Sequence, residues 1–400
     1  MVREIVISLY LFVFKVLFNV FKIFPMKNKV TFVVTFGDNS KYVYDEIVNQ
    51  GWNVEVTVLY KGSSNRHFQN DKGIRLISFE SLNLVHMIRS IYHLATSKNI
   101  IIDNYFGFLA VTDFKEDVEV IQLWHASGAL KNFGLEDQSV QYRSKSAHER
   151  FNKVYEKFDK VIVGSDVMAN TFMRAFNLSN ERILRTGIPR TDFFYDESLK
   201  SEITARLVAE NEVLGQKKKI LYAPTYRDNE INYFQLKLEL DKMQEELGKD
   251  YIVLLRLHPA IQKTTNYENQ YRGFVFDYSG SEYDINDLLL MADILITDYS
   301  SIPYEFSLTH KPIIFFAYDL DDYRRERGLM KQYEDTVPGP VVDTTKDIID
   351  IIQMDKLDNR VVKEYAGKWN KYSTGHSSRN LVRYLITGRE IAEKVNRRAL

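Results

Sequence analysis

Cysteine is absent from the whole chain. That excludes disulfides, thiolate nucleophiles and cysteine metal sites, and it fits a reducing compartment. An excess of charge of either sign is also missing: 53 basic and 54 acidic side chains leave a formal net charge of −1. The total therefore makes no electrostatic case for a nucleic-acid partner, and none is expected. Basic runs at Lys217-Lys218-Lys219 and around Arg324, Arg325 and Arg327 read as solvated faces. No Gly-rich P-loop, G-x-G-x-x-G, H-E-x-x-H or G-x-S-x-G occurs, so the chemistries those motifs carry have no support. No compelling carboxylate pair stands out. The acidic run Asp319-Leu320-Asp321-Asp322 reads as a divalent-metal holder or as a solvated helix start, where acidic residues suit the helix dipole; no metal site is assigned to it. Internal repeats and low-complexity segments are lacking too.

What is present is globular. The 400 residues are 45% apolar and 27% charged, enough for a sizeable core and too many residues for one ordinary domain. The 25 Tyr and 25 Phe suit a cleft that handles rings or lipid.

The chain opens on its most apolar stretch, Ile5 to Phe24, between Arg3 and Pro25-Met26-Lys27. Its length just suffices to span a bilayer. Lys15 lies mid-segment, and a lysine at a helix centre costs about 2.5–3.5 kcal/mol on insertion scales. Ser8, Lys15, Asn19 and Lys22 fall at spacings of seven, four and three, which places them on one narrow polar stripe. This is the pattern of a helix lying in the membrane interface. A true span, a buried core helix and a signal peptide are the alternatives. No small-residue cleavage site follows, and a strand starts at once at Lys29.

From Lys29 strands and helices alternate. Strands are expected at Val30–Phe36, Val54–Leu59, Ile100–Asp103, Glu119–Trp124, Lys160–Val163 and Arg182–Thr186. Helices are expected from Ser40 to Gln50, Leu82–Ala95, Arg143–Phe158 and from Asp166. A hydrophilic helix over Asp196–Leu214 leads to a second run of strands: Ile220–Ala223, Ile252–Leu257, Phe274–Phe276, Asp293–Thr297 and Ile313–Phe316. Between them come helices at Gln235–Leu247, Ile285–Met291 and Ile302–Leu308, and a helical tail follows from Ile348. Such alternation implies largely parallel sheets covered by helices on both faces. The expected fold class is α/β and GT-B-like: two Rossmann-like domains facing a cleft, preceded by an amphipathic membrane-associated helix. Expected domains are residues 1–27 (the helix), 28–195 (acceptor side) and 196–400 (donor side), with the last helices packing back on the first domain.

Four constellations carry candidate chemistry. Trp124-His125-Ala126-Ser127-Gly128-Ala129-Leu130-Lys131 ends a strand on a histidine, which reads as a general base or as a structural histidine. Ala223-Pro224-Thr225-Tyr226-Arg227 presents Thr225 and Arg227; the arginine either grips a phosphate or pairs with a carboxylate. Arg256-Leu257-His258-Pro259 ends another strand. Ile294 to Phe306 reads as strand, turn and helix start, with Asp298, then Ser300 or Ser301 as cap, and Glu305 beyond. A helix start of this kind seats phosphates.

With Gly187-Ile188-Pro189-Arg190-Thr191-Asp192 and Thr297-Asp298-Tyr299-Ser300-Ser301, these motifs occur in an order that resembles the CDP-glycerol glycerophosphotransferase family of teichoic acid synthesis, from about Thr31 to Tyr384. The short length, the Phe36-Gly37-Asp38-Asn39-Ser40 segment and the Ala-Ser-Gly-Ala loop after His125 look most like the short primase-type members. The resemblance implies a CDP-activated donor and transfer of glycerol phosphate, with release of CMP, to an undecaprenyl-diphosphate-linked disaccharide at the cytoplasmic face of the membrane. It implies His125 and His258 as catalytic residues, and Thr225, Arg227, Arg256, Asp298, Ser300, Ser301 and Glu305 on the donor phosphates. On the acceptor side it implies Asp38, Asn39, Ser127 and Lys131. No cofactor and no metal-ligating residue are assigned, and a divalent-metal requirement stays open. The alternatives are a polymerising glycerol- or ribitol-phosphate transferase, a nucleotide-sugar glycosyltransferase of the same fold, and a non-catalytic membrane-associated binding protein. Homo-oligomers or complexes with other teichoic acid enzymes stay open.

Overall fold

A computed structural model describes residues 2–81, 83–129, 132–137, 140, 142–227, 234–258, 261, 265–280, 282–327 and 333–388. The chain divides into two compact units. The first comprises the chain up to Ser127, Asn132–Asp192 and the segment from Lys371 onward; the second is built on Phe193–Asn370.

Among the described residues the first unit holds seven strands: β1 (Lys27–Val34), β2 (Glu55–Tyr60), β3 (Ile74–Ser78), β4 (Ser97–Ile102), β5 (Glu119–Gln122), β6 (Lys160–Ile162) and β7 (Ile183–Leu184). All pair in parallel in the order β3-β2-β1-β4-β5-β6-β7. Its helices are α1 (Val2–Phe21), α2 (Asp38–Asn49), α3 (Leu84–Ala95), α4 (Lys145–Tyr155) and α5 (Asp166–Ala175). Near-continuous apolar runs such as Val30-Thr31-Phe32-Val33-Val34 and Ile100-Ile101-Ile102 are buried, as expected of parallel strands covered on both faces.

The second unit holds β8 (Lys218–Tyr222), β9 (Tyr251–Leu255), β10 (Val275–Asp277), β11 (Ile294–Thr297), β12 (Ile313–Phe316) and β13 (Val341–Val342). They are parallel in the order β10-β9-β8-β11-β12-β13. Its helices are α6 (Glu197–Glu210), α7 (Leu240–Leu247), α8 (Tyr267–Gln270), α9 (Ile285–Met291), α10 (Ile302–Phe306), α11 (Leu320–Arg327), α12 (Tyr333–Thr336), α13 (Thr345–Gln353) and α14 (Asn359–Trp369). The last helix, α15 (Ser377–Thr387), returns to the first unit, where Leu381, Val382 and Leu385 join the core with Val43 and Ile47 of α2.

The motif around Gly187 makes that return. Gly187 has φ 85°, and a Cβ there would lie 2.3 Å from the Ser377 hydroxyl and 2.5 Å from the Tyr372 carbonyl. Asp192 then accepts from the backbone N–H groups of Ser377 and Ser378, both at 2.8 Å, pairing donors that the start of α15 would otherwise leave open.

Strand order reverses between β1 and β4 in one sheet and between β8 and β11 in the other. In open α/β sheets, ligands bind beyond the carboxyl ends of the strands at such points. Every motif singled out in the sequence, the return segment excepted, leaves a strand beside one of these two places.

Some boundaries differ from expectation. The edge strands β3 and β13 went unforeseen, because both are short and sit among polar or turn residues. The helix expected over Gln235–Leu247 begins only at Leu240, and that expected over Ile302–Leu308 ends at Phe306 in a tighter turn.

The first helix rests on the first unit rather than standing free. Phe14 stacks on Phe108 at 5.2 Å, Phe18 meets Phe114 edge-on at 5.2 Å, and Phe21 meets Tyr92 at 5.7 Å. Leu11, Phe14 and Phe18 are buried. Ile5, Leu9, Phe12, Val16 and Val20 are exposed. At 3.6 residues per turn this exposed apolar stripe lies opposite the buried one, and the Ser8-Lys15-Asn19-Lys22 stripe lies about 90° from both.

Candidate active site

At the carboxyl edge of the first sheet, β5 runs out into Trp124 and His125. Trp124 takes φ 59°, an unusual conformation for a bulky residue and one that must be held by its surroundings. Its N–H donates to Gln122 Oε1 at 2.8 Å, and its carbonyl accepts from Asn39 Nδ2 at 3.0 Å. The His125 ring stacks on Phe36 at 4.2 Å and on Trp124 at 4.4 Å. Its Nδ1 lies 3.2 Å from the Asp103 carbonyl. A carbonyl can only accept, so Nδ1 carries the proton and Nε2 keeps its lone pair. Burial lowers the His125 pKa; the Asp103 carbonyl opposes this, and the Arg190 charge adds to it. His125 is thus an imidazole held neutral, with its accepting nitrogen specified, which is what a general base requires.

Arg190 completes the frame. Its guanidinium donates to the His125 carbonyl at 3.0 Å, and its backbone N–H donates to Asn39 Oδ1 at 3.1 Å. Asn39 (3% exposed) and Ser127 (0%) are buried, and Asn39 braces the His125 loop. Asp38 begins α2, with its carboxylate 3.5 Å from His67 Nε2. Lys131 lies outside the described residues.

In the second unit a pocket of about 330 Å³ opens where β8, β9 and β11 end; Thr225, Tyr226, Arg256, His258, Tyr299 and Ser300 help line it. The Thr225 hydroxyl is buried and lies beside the Asp298 carboxylate, to which it contributes a side-chain hydrogen bond. His258 packs against the Tyr226 ring at 4.4 Å. Its pKa is lowered by burial and by Arg256, so the ligand-free protein holds it neutral. Arg256 donates one terminal nitrogen to the carbonyls of Tyr278 (2.7 Å) and Gly280 (2.6 Å), which sets its place in the pocket wall. Ser301 occupies the N-cap position of α10 without a side-chain cap, and the Ser300 hydroxyl accepts from Ile302 N–H at 3.2 Å.

Arg227, Asp298, Ser301 and Glu305 do not line this pocket. Arg227 makes a two-pronged contact with Asp319 at 2.7 and 2.9 Å, reaches Asp298 at 3.1 Å and donates to the Thr225 carbonyl at 2.5 Å. The rings of Tyr299, Tyr318 and Tyr323 lie about it at 5.1, 5.5 and 4.9 Å. Burial works against its charge, but Asp319 and Asp298 keep its pKa above the ordinary arginine value. Of the two roles open to it, the structure gives the carboxylate pairing. Asp298 (2% exposed) accepts from the backbone N–H groups of Thr225 and Tyr299 at 2.8 and 2.7 Å, tying the two turns together. Glu305 is buried at 4%. Asp319 thus has a structural partner, and no group of three or more His, Asp or Glu among the described residues is arranged to hold a metal.

Removing one partner of a buried ion pair typically costs about 3–5 kcal/mol. Arg227→Ala should therefore lower the unfolding midpoint in urea, and Arg227→Lys should not restore it, because a lysine cannot make the fork. Unchanged stability with weakened donor binding would return Arg227 to the phosphate.

The model of the family described as CDP-glycerol:poly(glycerophosphate) glycerophosphotransferase matches residues 16–387. The chain belongs to this family. Among curated members of similar sequence, it is 34% identical over 386 residues to the teichoic acid glycerol-phosphate primase of Bacillus subtilis (strain 168), covering 96% of this chain and 98% of that one. It is 33% identical to the teichoic acid poly(ribitol-phosphate) polymerase of Bacillus spizizenii, covering 97% of this chain and 60% of that one. A variant of the wall teichoic acid polymerase TagF superposes with a TM-score of 0.78 over 99% of both chains at 22% identity, a likeness that shows the GT-B-like fold. As a glycerophosphotransferase family member, the chain carries its two strand-end histidines in different units, with one described pocket beside His258. The sequence reading missed Asp103, Phe36, Trp124 and Arg190 as determinants of the His125 geometry. Phe36, Trp124 and Arg190 each lie in a motif that the sequence offers, whereas Asp103 lies in none.

Proposed function

We propose that this family member transfers glycerol phosphate from CDP-glycerol to a hydroxyl of a lipid-linked teichoic acid precursor, releasing CMP. The observation that carries the reading is His125: a neutral imidazole with Nδ1–H committed to a carbonyl and Nε2 left to take a proton. The acceptor hydroxyl gives its proton to Nε2, and its oxygen bonds to the glycerol-bearing phosphorus. The bond from that phosphorus to the CMP oxygen breaks, and the electron pair leaves with CMP. The donor diphosphate lies in the second unit's pocket against Thr225, Ser300, Arg256 and His258. His258 donates a hydrogen bond to it, and the diphosphate's charge draws the imidazole toward protonation. Positioning and charge stabilisation of this kind carry most phosphoryl-transfer catalysis. Addition of the first unit is the form of the reaction favoured by likeness to two glycerol-phosphate primases, each 34% identical to this chain.

The acceptor is reached from the cytoplasmic membrane surface, on which α1 lies by its exposed stripe. Leu84, Val85 and Ile88 of α3, the helix packed beside α1, are exposed as well. Lys15 and Lys22 on the flank sit at headgroup level.

Purified protein incubated with a lipid-linked disaccharide acceptor and CDP-glycerol, CDP-ribitol or UDP-sugars tests the reading. CMP release from CDP-glycerol is expected. CMP from CDP-ribitol alone would reassign the donor, UDP release would make the protein a sugar transferase, and no release would leave a binding protein. His258→Ala should lower turnover and weaken CDP-glycerol binding in titration calorimetry. Ser301→Ala, outside the pocket lining, should change neither by more than about twofold, since backbone N–H groups remain. Unchanged affinity in His258→Ala would move the donor out of this pocket.

A further inference from the structure

The turn after β1 wraps an anion, and the anion is a side chain of the protein itself. Gly37 takes φ 94°, which turns three successive N–H groups inward. Asp103, at the end of β4 and 1% exposed, receives all three. Thr35 N–H donates to Oδ1 at 2.9 Å, and Phe36 and Gly37 N–H both donate to Oδ2 at 2.9 Å. Nests of backbone N–H groups in strand-to-helix turns of doubly wound domains bind phosphates; here the seat is filled. One of the residues so fixed, Phe36, stacks on the imidazole of His125. Asp103 also touches that imidazole directly, through its carbonyl at Nδ1.

We propose that Asp103 is a positioning residue for His125: its carboxylate holds the turn that presses Phe36 against the imidazole, and its carbonyl selects the tautomer with Nε2 free to accept. This rests on the reading of His125 as the general base. With the seat closed by Asp103, the first unit has no room at this turn for a phosphate of either substrate, so the acceptor meets His125 through its hydroxyl. Among the described residues, the titratable and charged groups named near the imidazole are Arg190, against the His125 carbonyl, the Asp103 carboxylate in the turn, and Asp38 with His67 at the head of α2.

Asp103→Asn keeps the shape but offers an NH2 group to one of the three donors. Phe36 loosens, water reaches the imidazole, and the ring is no longer pressed onto the residue-103 carbonyl, which the variant keeps. Turnover should fall about 10²-fold, the loss expected of a misplaced catalytic group, with the KM for CDP-glycerol unchanged. The acidic limb of the rate–pH profile should move up toward the ordinary imidazole value, and the ¹⁵N spectrum of His125 should show mixed tautomers. Phe36→Leu, which leaves the nest intact, should move the limb the same way without loss of stability. A lower rate with an unmoved limb and unchanged ¹⁵N signals in both variants would make Asp103 merely structural and overturn the proposal. A wild-type His125 protonated at Nε2 would overturn it even where Asp103→Asn fails to fold. If His125 titration and tautomer shift in the spectrum while the rate–pH profile stays still, the positioning holds and the assignment of His125 as base falls.

Discussion

His125→Ala loses about 10²–10⁴ in turnover, the usual worth of a general base, while CDP-glycerol still binds and the fold persists. The substitution leaves the second unit's pocket untouched, because none of its lining residues is altered. It removes the ring from between its neighbours but breaks no described buried charge pair, so a circular dichroism spectrum and melting curve close to wild type are expected. In the wild type the pH dependence carries a matching sign. Only the neutral imidazole accepts a proton, so kcat/KM falls as pH drops through the His125 pKa. Burial holds that pKa below its ordinary value despite the Asp103 carbonyl. The acidic limb should therefore lie below about pH 6.5, with activity level above it until another group titrates. Wild-type turnover in His125→Ala, or a limb well above the ordinary imidazole value, would reduce His125 to a structural histidine.

The second large effect belongs to α1. Changing Leu9, Phe12, Val16 and Val20 to serine should release the protein from vesicles containing anionic lipid. Activity should persist on a short-chain soluble acceptor and disappear on a bilayer-embedded one. Full burial of each such side chain is worth about 1.5–3 kcal/mol, against about 1 kcal/mol for each lysine near an anionic surface. The outward stripe should thus outweigh Lys15 and Lys22, and Lys15→Glu with Lys22→Glu should weaken binding less. Phe14→Ser is the control of opposite kind. It opens a cavity against Phe108 and should cost stability, of the order of 3–5 kcal/mol for losing a buried phenylalanine, without baring any less of the outward stripe. Co-sedimentation with vesicles and carbonate washing of membranes separate the outcomes. Retention of the fourfold variant through a carbonate wash would establish a transmembrane span.

The sequence alone determined the class of fold, because parallel strands covered on both faces must be continuous apolar runs, and those runs are visible in one dimension. It also determined which short segments leave the strands near a ligand site, since Trp124-His125, Thr225, Arg256-His258 and Asp298-Ser300 each follow directly on such a run. It showed that the first helix has both apolar and polar stripes. Partners far apart in the chain were decided only in three dimensions. Arg227 reads in sequence as a phosphate ligand or a carboxylate partner, and only the fold brings Asp319, 92 residues on, to take its fork. Only the fold shows Asn39 giving its amide to the carbonyl of Trp124, 85 residues on. Asp103 is silent as a sequence because its effect comes from filling a nest made by a strand 67 residues earlier and from a carbonyl that every residue has. The apolar surface of α1 is uniform in sequence, and only packing on Phe108 and Phe114 splits it into an inward and an outward face. Periodicity reports how a segment is buried; what it is buried against depends on contacts that no local pattern encodes.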